Sequence, residues 1–314
     1  MRYYFAPMEG ITDSVYRSLH HKYFPGIHQY YTPFFSPTIH RSLTKKEQRE
    51  LPMADSICYT VIPQILTKIP ADFQWIAQMC AEAGYQEVNL NLGCPSGTVT
   101  AKGKGSGMLT DPEALNSFLD RIFAASPLPV SVKTRLGFRD PEEFPRLLEV
   151  FNQYPIKELT IHPRVRAQFY NGAVDLNAFS YAAQKAKVPL CFNGNLNSTE
   201  DISAISLKFP NVNAVMLGRG LIADPGMLSS EGTTAEKLEQ FTAELLEEYT
   251  RTFESERNAM FRMKENWRYL LCKFENSEKL GKQLRKTTDI SQFKEITHRI
   301  IHELPIRQQL MPDW

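Results

Sequence analysis

Residues 87–107 read "EVNLNLGCPSGTVTAKGKGSG". The apolar run Glu87–Leu92 ends in Gly93-Cys94-Pro95 and a loop rich in glycine and lysine, after which "DPEALNSFLDRIFAA" begins at Asp111. Asp111-Pro112 sets an N-cap before a proline at the first helical position, a common start signal. The stretch therefore predicts one strand, a loop and one helix. The same succession extends in both directions. Runs at 3–8, 27–32, 58–66, 129–134, 158–162, 188–193 and 212–217 bring the number of predicted strands to eight. Helix-like segments such as "DSVYRSLHHKYF", "ADFQWIAQMCAEAG" and "STEDISAISLKF" lie between them, and Asp140-Pro141 repeats the capping signal. Alternating strands and helices imply parallel β-α-β units. Eight units in roughly 220 residues predict a (β/α)₈ barrel, with a doubly wound open sheet as the other arrangement of the same pattern.

Beyond residue 225 no strand pattern appears, and segments such as "AEKLEQFTAELLEEYTRTF" and "NAMFRMKENWRYLLCKF" predict three or four helices. The expected division is a barrel over residues 1–235 and a smaller helical domain over 236–314. The segment 43–56, "LTKKEQRELPMADS", is a polar excursion between the second and third strands.

Composition bounds the function. With 42% hydrophobic and 23% charged residues, the 314-residue chain can bury a large core. No apolar run reaches the ~18–20 residues of a membrane span. The opening "MRYYFAPMEG" lacks a signal-peptide pattern, so a cytoplasmic address is expected. Cysteines at 58, 80, 94, 191 and 272 form no CxxC pair or metal-ligand spacing, so neither a disulfide framework nor a metal site is expected. The net charge of +1 argues against a broadly basic nucleic-acid binder. Its distribution is uneven: residues 227–250 hold six glutamates and one lysine, whereas 251–314 hold thirteen Lys/Arg and nine Asp/Glu. That asymmetry fits a helical module with one basic face, or an ordinary solvated helical surface.

In a barrel of this kind, functional groups sit where the strands end. Here those positions carry Pro7-Met8-Glu9-Gly10, Gln64, Asn89, Asn91 with Cys94, Lys133 with Arg135, His162 with Arg164, Asn193-Gly194-Asn195 and Gly218-Arg219-Gly220. The last two sets put glycines and an arginine after the seventh and eighth strands, where barrels commonly bind phosphate. Lys133 lies in an apolar run, where an ammonium is costly unless paired or brought to the rim. His162 suits a core position as well as a ligand.

Cys94 differs from its fellows. Cys58, Cys80 and Cys191 lie in runs or helical segments and are expected inside as small hydrophobes. Cys94 opens a loop between glycine and proline, which exposes a sulfur on a stiff backbone. It could be a nucleophile, a redox thiol or a proton donor. No partnering base or resolving thiol is evident for the first two. A thiol of ordinary pKa, about 8.5, is mostly protonated at neutral pH and can act as a general acid.

Taken in order, "APMEGITDSVYR", "IPQIL", "NLNLGCPSGTV" with "KGKGSGMLTDPEAL", "VSVKTRLG", "IHPRVRAQFYNG", "FNGNL" and "MLGRG" resemble the successive motifs of the tRNA-dihydrouridine synthases. The helical tail resembles theirs more loosely, through "FRMKENW" and "KQLRK". The resemblance implies an FMN-dependent barrel that reduces the C5=C6 bond of uridines in tRNA, with NADPH as electron donor. It implies flavin contacts at Pro7, Met8, Glu9, Gln64, Lys133 and His162, and a phosphate site at Asn193, Gly194, Asn195, Gly218 and Arg219. Cys94 becomes the general acid. Asn91, Arg135 and Arg164 would face the nucleotide, and Lys102, Lys104, Arg262, Lys264, Arg268, Lys282, Arg285 and Lys286 the tRNA backbone. A monomer without metal or membrane association is expected. Glu9-Gly10 and the pattern of Arg262, Lys264 and Trp267 resemble the bacterial subgroup acting on the D-loop. Three positions depart from the family pattern: Asn89 stands where many members are acidic, Pro33 where glutamate follows threonine, and Pro163 where glycine is usual. Two other readings fit parts of the same pattern, an FMN barrel reducing a free pyrimidine and a non-catalytic RNA-binding barrel.

Overall fold

The computed structural model describes residues 1–38 and 40–312. Every predicted run contains a parallel strand: β1 (Arg2–Phe5), β2 (Gln29–Tyr31), β3 (Val61–Ile62), β4 (Gln64–Ile65), β5 (Val88–Leu92), β6 (Val130–Gly137), β7 (Leu159–Val165), β8 (Leu190–Asn193) and β9 (Ala214–Leu217). The ninth strand arises at Pro63, which has no N–H to donate and divides the third run into β3 and β4. β3 pairs with β2, β4 pairs with β5, and β1 lies beside β9. Because β3 and β4 are two halves of one extended segment, the sheet closes through Pro63 and the barrel has eight staves. The Pro63 carbonyl still serves the ladder, accepting from the Asn89 amide at 2.8 Å. The strands are buried along most of their length, as expected of parallel strands covered on both faces.

The connections carry α1 (Ser14–Tyr23), α2 (Lys45–Arg49), α3 (Pro70–Glu82), α4 (Gly97–Thr100), α5 (Pro112–Ala125), α6 (Phe144–Phe151), α7 (Leu176–Lys185), α8 (Thr199–Lys208) and α9 (Arg219–Ala223). Their starts follow the capping chemistry. Asp111 accepts from the amides of Glu113 and Ala114, with Pro112 in the first turn of α5, and Asp175 caps α7 in the same way. Asp140-Pro141 instead opens a single 3₁₀ turn, Pro141–Glu143, from which α6 continues. The polar excursion holds α2, closed by a capping box between Thr44 and Glu47.

After α9 the chain forms four helices, α10 (Ala235–Phe253), α11 (Glu256–Leu270), α12 (Glu278–Lys286) and α13 (Ile290–Glu303). Their apolar stripes meet around the fully buried Trp267, Phe241, Leu245 and Ile300. None is long and apolar enough to cross a membrane, nor is any other helix among the described residues.

The chain forms two compact units. One comprises Met1–Pro7, His28–Asn195 and Ala204–Met216; the other comprises Met8–Ile27, Leu196–Ser203 and Leu217–Trp314. One sequence expectation is corrected: Cys58 is exposed, whereas Cys80 and Cys191 are buried. The third run joins the sheet only at Val61, so Cys58 belongs to the loop before it.

Candidate active site at the strand ends

A row of amides crosses three adjoining strands of the first unit, from Ser131 and Asn89 near the starts of β6 and β5 to Gln64 on β4 and Asn91 further along β5. Ser131 Oγ accepts from Asn89 Nδ2 at 2.9 Å, Asn89 Oδ1 accepts from Gln64 Nε2 at 2.8 Å, and Gln64 Oε1 accepts from Asn91 Nδ2 at 2.8 Å. Asn91 Oδ1 then accepts from the backbone amides of Gly93 and Cys94, at 3.0 and 2.9 Å. Each buried amide is satisfied by the next, which fixes the orientation of all of them. The row ends by setting the backbone that carries the Cys94 thiol.

The cysteine loop is also held from its other side. The Gly93 carbonyl accepts from Arg135 Nε at 2.8 Å, and the Cys94 carbonyl accepts from Ser106 Oγ at 2.7 Å. Gly105 lies in the left-handed region at φ +57°, and a Cβ there would stand 3.1 Å from Cys94 Cβ, so a side chain would press on the cysteine. Cys94 itself is partly exposed.

Lys133 stands beside Asn91 in the register of β5 and β6. It is half-buried, and among the described residues its ammonium makes no hydrogen bond or ion pair. Burial, reinforced by the nearby Arg135 charge, pushes its ammonium down to about 8. A cation so placed is costly to the isolated fold and suits an electron-rich ligand.

On β7, Arg164 Nη1 lies 2.9 Å from His162 Nε2. An arginine only donates, so that ring nitrogen is the acceptor. The same guanidinium donates to the Asn195 side chain at 3.0 Å and to the carbonyls of Asn171 and Gly172. Arg164 therefore sets His162 and Asn195 in place with its own donors engaged. Gly194, at φ +136°, passes so close to His162 that a Cβ would lie 3.0 Å from Cδ2 and 2.9 Å from Val174 Cγ1. Asn193 donates to the Met216 carbonyl at 2.7 Å. Arg135 is likewise engaged, donating to the carbonyls of Val165 and Phe169, 5.3 Å above the Tyr170 ring.

In the second unit, Met8 and Glu9 begin the turn into α1, with the Met8 amide donating to Thr12 Oγ1 at 2.8 Å. Pro7 ends the first segment of the other unit. Gly218 caps α9 and Arg219 is its first residue. A Cβ on Gly220 would lie 2.3 Å from the Leu196 carbonyl, so the loop after β8 and the start of α9 approach closely enough to require glycine.

The basic candidates separate by what they touch. Lys102 is exposed and Lys104 donates to Ser36 Oγ at 3.0 Å; burial, followed by the Lys102 charge, lowers the Lys104 ammonium. Arg268, Lys282, Arg285 and Lys286 are exposed on α11 and α12. Arg262 instead pairs with Asp13 at 3.8 Å, and Lys264 donates to the carbonyls of Arg285 and Thr287 at the end of α12.

Sequence reading missed three groups that the fold brings to this end of the barrel. Arg166 donates to the Pro95 carbonyl at 3.1 Å and to Thr100 Oγ1 at 3.4 Å, bracing the cysteine loop from β7. Phe169 and Tyr170 are exposed beside it, with Arg166 4.9 Å above the Phe169 ring. Lys68 reaches Gly103 and enlarges the charge of Lys102 and Lys104. Arg166 and the aromatics were visible in "RVRAQFY"; what they touch was not.

The comparisons agree with one another. Residues 4–305 match the profile of the family described as dihydrouridine synthase (Dus). A probable tRNA-dihydrouridine synthase 1 of Synechocystis sp. is 32% identical over 225 residues, 70% of this chain and 61% of that protein. A tRNA-dihydrouridine(16) synthase of Shigella flexneri is 32% identical over 244 residues, 72% of this chain and 74% of that one. Among solved structures, a histamine dehydrogenase from Rhizobium sp. 4-9 superposes with a TM-score of 0.53 at 12% identity, covering 72% of this chain and 45% of its own. A morphinone reductase variant gives 0.50 at 10% identity, over 72% and 85%. At such identities the structures attest the (β/α)₈ barrel alone. The profile match along nearly the whole chain, with the family's motifs at the observed strand ends, places this chain in the dihydrouridine synthase family.

Proposed function

We propose that the chain is an FMN-dependent tRNA-dihydrouridine synthase, reducing the C5=C6 bond of a uridine in tRNA with electrons from NADPH. The observation that carries this reading is a half-buried Lys133, with no side-chain partner among the described residues, beside Asn91, which fixes the loop of the partly exposed Cys94. The remaining strand-end groups fit a flavin. Gln64 presents a buried amide, Lys133 a cation without a counter-charge, and Gly194 a bare backbone where a side chain would collide with His162. Asn193 and Asn195 flank that glycine, and the sequence resemblance adds Pro7, Met8, Glu9, Gly218 and Arg219.

When bound and reduced, FMN supplies a hydride to C6 of the uracil. The chain's own residues do the rest. Cys94 Sγ holds the proton that C5 takes up, as general acid. Asn91 fixes the thiol's backbone. Lys133 opposes negative charge on the ring, and Arg164 holds His162 in one tautomer. Phe169 and Tyr170 offer faces on which a base turned out of its stack can rest. Lys68, Lys102 and Lys104, with the exposed cations of α11 and α12, contact phosphates. On this reading residues 1–235 carry the chemistry and part of the RNA contact, and 236–314 the remaining RNA contacts, in the cytoplasm.

Incubation of the purified chain with FMN, NADPH and an unmodified tRNA transcript tests the proposal. Dihydrouridine should form in the transcript, and free uridine or orotate should not be turned over. Turnover of the free pyrimidine alone would assign the barrel to small-molecule reduction.

A further inference from the structure

His298 and His302 lie four residues apart on α13, so one helical turn puts both rings on the same face, with centroids 4.4 Å apart. Glu239 of α10 meets them. His298 Nδ1 lies 2.9 Å from its Oε1, and His302 Nε2 lies 3.0 Å from its Oε2. The donor atoms of all three residues fall within 4.8 Å of one another. In a tetrahedral site with bonds near 2.1 Å, neighbouring donors stand roughly 3.4 Å apart. The three side chains thus need only small adjustments to surround one ion.

The scaffold holds them there. Leu238, Phe241 and Leu245 bury the inner face of α10, and Phe293, Ile300 and Ile301 that of α13, so the donors project from packed helices. Without a metal each ring donates to Glu239 through the nitrogen named above. A cation would take that nitrogen's lone pair while the proton moves to the other ring nitrogen, so neutral imidazoles suffice.

We propose that Glu239, His298 and His302 form a three-ligand site for a divalent transition metal of the zinc type, clamping α13 to α10. Two imidazoles and one carboxylate suit such an ion, whereas magnesium and calcium favour oxygen-only shells. A fourth position is left for water or for a donor group in the adjoining groove. That groove has a volume of ≈ 770 Å³ and is lined by Glu239 and His298 with Leu246, Trp267, Phe293 and Ile301. The site is independent of the barrel chemistry.

The full chain, stripped with EDTA and desalted, is titrated with ZnCl₂ by calorimetry and with CoCl₂ by visible absorption. The expected result is one equivalent bound, a cobalt spectrum without a thiolate charge-transfer band, and a melting temperature raised by zinc. His298→Ala, His302→Ala and Glu239→Gln should each weaken binding by more than roughly a hundredfold, beyond the roughly 10–100-fold that outer-shell changes cause. Their melting in EDTA should match the unsubstituted chain, since all three side chains are at least partly exposed. Absence of saturable binding, binding that survives the double variant His298→Ala/His302→Ala, or a thiolate band pointing to a cysteine would each overturn the assignment.

Discussion

The two ends of the barrel treat charge in opposite ways. At the N-terminal ends of the strands the charges are paired: Glu158 meets Arg2 at 2.9 Å and the Tyr4 hydroxyl at 3.1 Å, and Glu87 meets Lys157 at 2.6 Å. At the C-terminal ends a row of neutral amides leads to Cys94, and the half-buried Lys133 has no partner among the described residues. Pairing offsets part of the cost of burying a charge, as at Glu158, whereas an unpaired cation bears the whole cost until a ligand relieves it. In barrels of this class the N-terminal end generally serves stability and the C-terminal end binding, and the division of charge seen here runs the same way.

Substitutions sharpen the contrast. Cys94→Ala should leave the melting temperature unchanged and lower dihydrouridine formation by about 10²–10⁴-fold, the usual contribution of a general acid; a loss below tenfold would remove the thiol from the chemistry. Gln64→Leu strands Asn89 Oδ1 and Asn91 Nδ2, so denaturant unfolding should register a loss of about 2 kcal/mol. Lys133→Met should act in both directions. Flavin retention should fall, while the ligand-free chain gains about 1 kcal/mol by losing an unpaired ammonium. At the opposite end, Arg2→Ala should cost under about 1 kcal/mol, because Arg2 is 52% exposed.

pH separates the ends further. Lys133 is depressed from 10.5 to about 8. Between these values the folded chain binds fewer protons than the unfolded one, so its penalty is full below pH 8 and fades as pH rises to 10.5. Glu158 is raised from 4.5 to about 7, chiefly by burial. Its penalty is full above pH 7 and fades as pH falls to 4.5. Unfolding midpoints measured across pH should lose the alkaline slope in Lys133→Met and the acid slope in Glu158→Gln. Unaltered slopes would show that neither group titrates with folding.

The difference between the ends also explains what the sequence made legible. Strands and helix starts rest on local signals, β-branched runs and Asp-Pro caps: Asp111-Pro112 opens α5, whereas Asp140-Pro141 opens a 3₁₀ turn ahead of α6. Strand ends could be named for the same reason, which brought Gln64, Asn91, Cys94, Lys133 and His162 onto one sheet edge. Local patterns do not show which donors a fold has already used. Arg135 and Arg164 read as substrate cations, yet their guanidiniums are engaged with backbone and with His162. Arg166 braces a loop 71 residues away, a contact set by the pairing of β6 with β7 and invisible to periodicity. Cys58 was placed inside because the apolar run was extended past the point where pairing begins. His298 and His302 stand at an i, i+4 ligand spacing that is legible in the sequence, whereas Glu239, 59 residues before His298, joins them only through the packing of α10 on α13.

The proposed reaction is the reduction of a tRNA uridine at the C-terminal end of this barrel, with Cys94 as proton donor. Nucleotide-resolved mapping of dihydrouridine in RNA from cells that lack the chain, express it, or express Cys94→Ala tests that proposal most directly. Particular tRNA uridines should lose the modification on deletion, regain it with the unsubstituted chain, and fail to regain it with the variant. Restoration by Cys94→Ala, or no change at any tRNA position on deletion, would contradict the proposal.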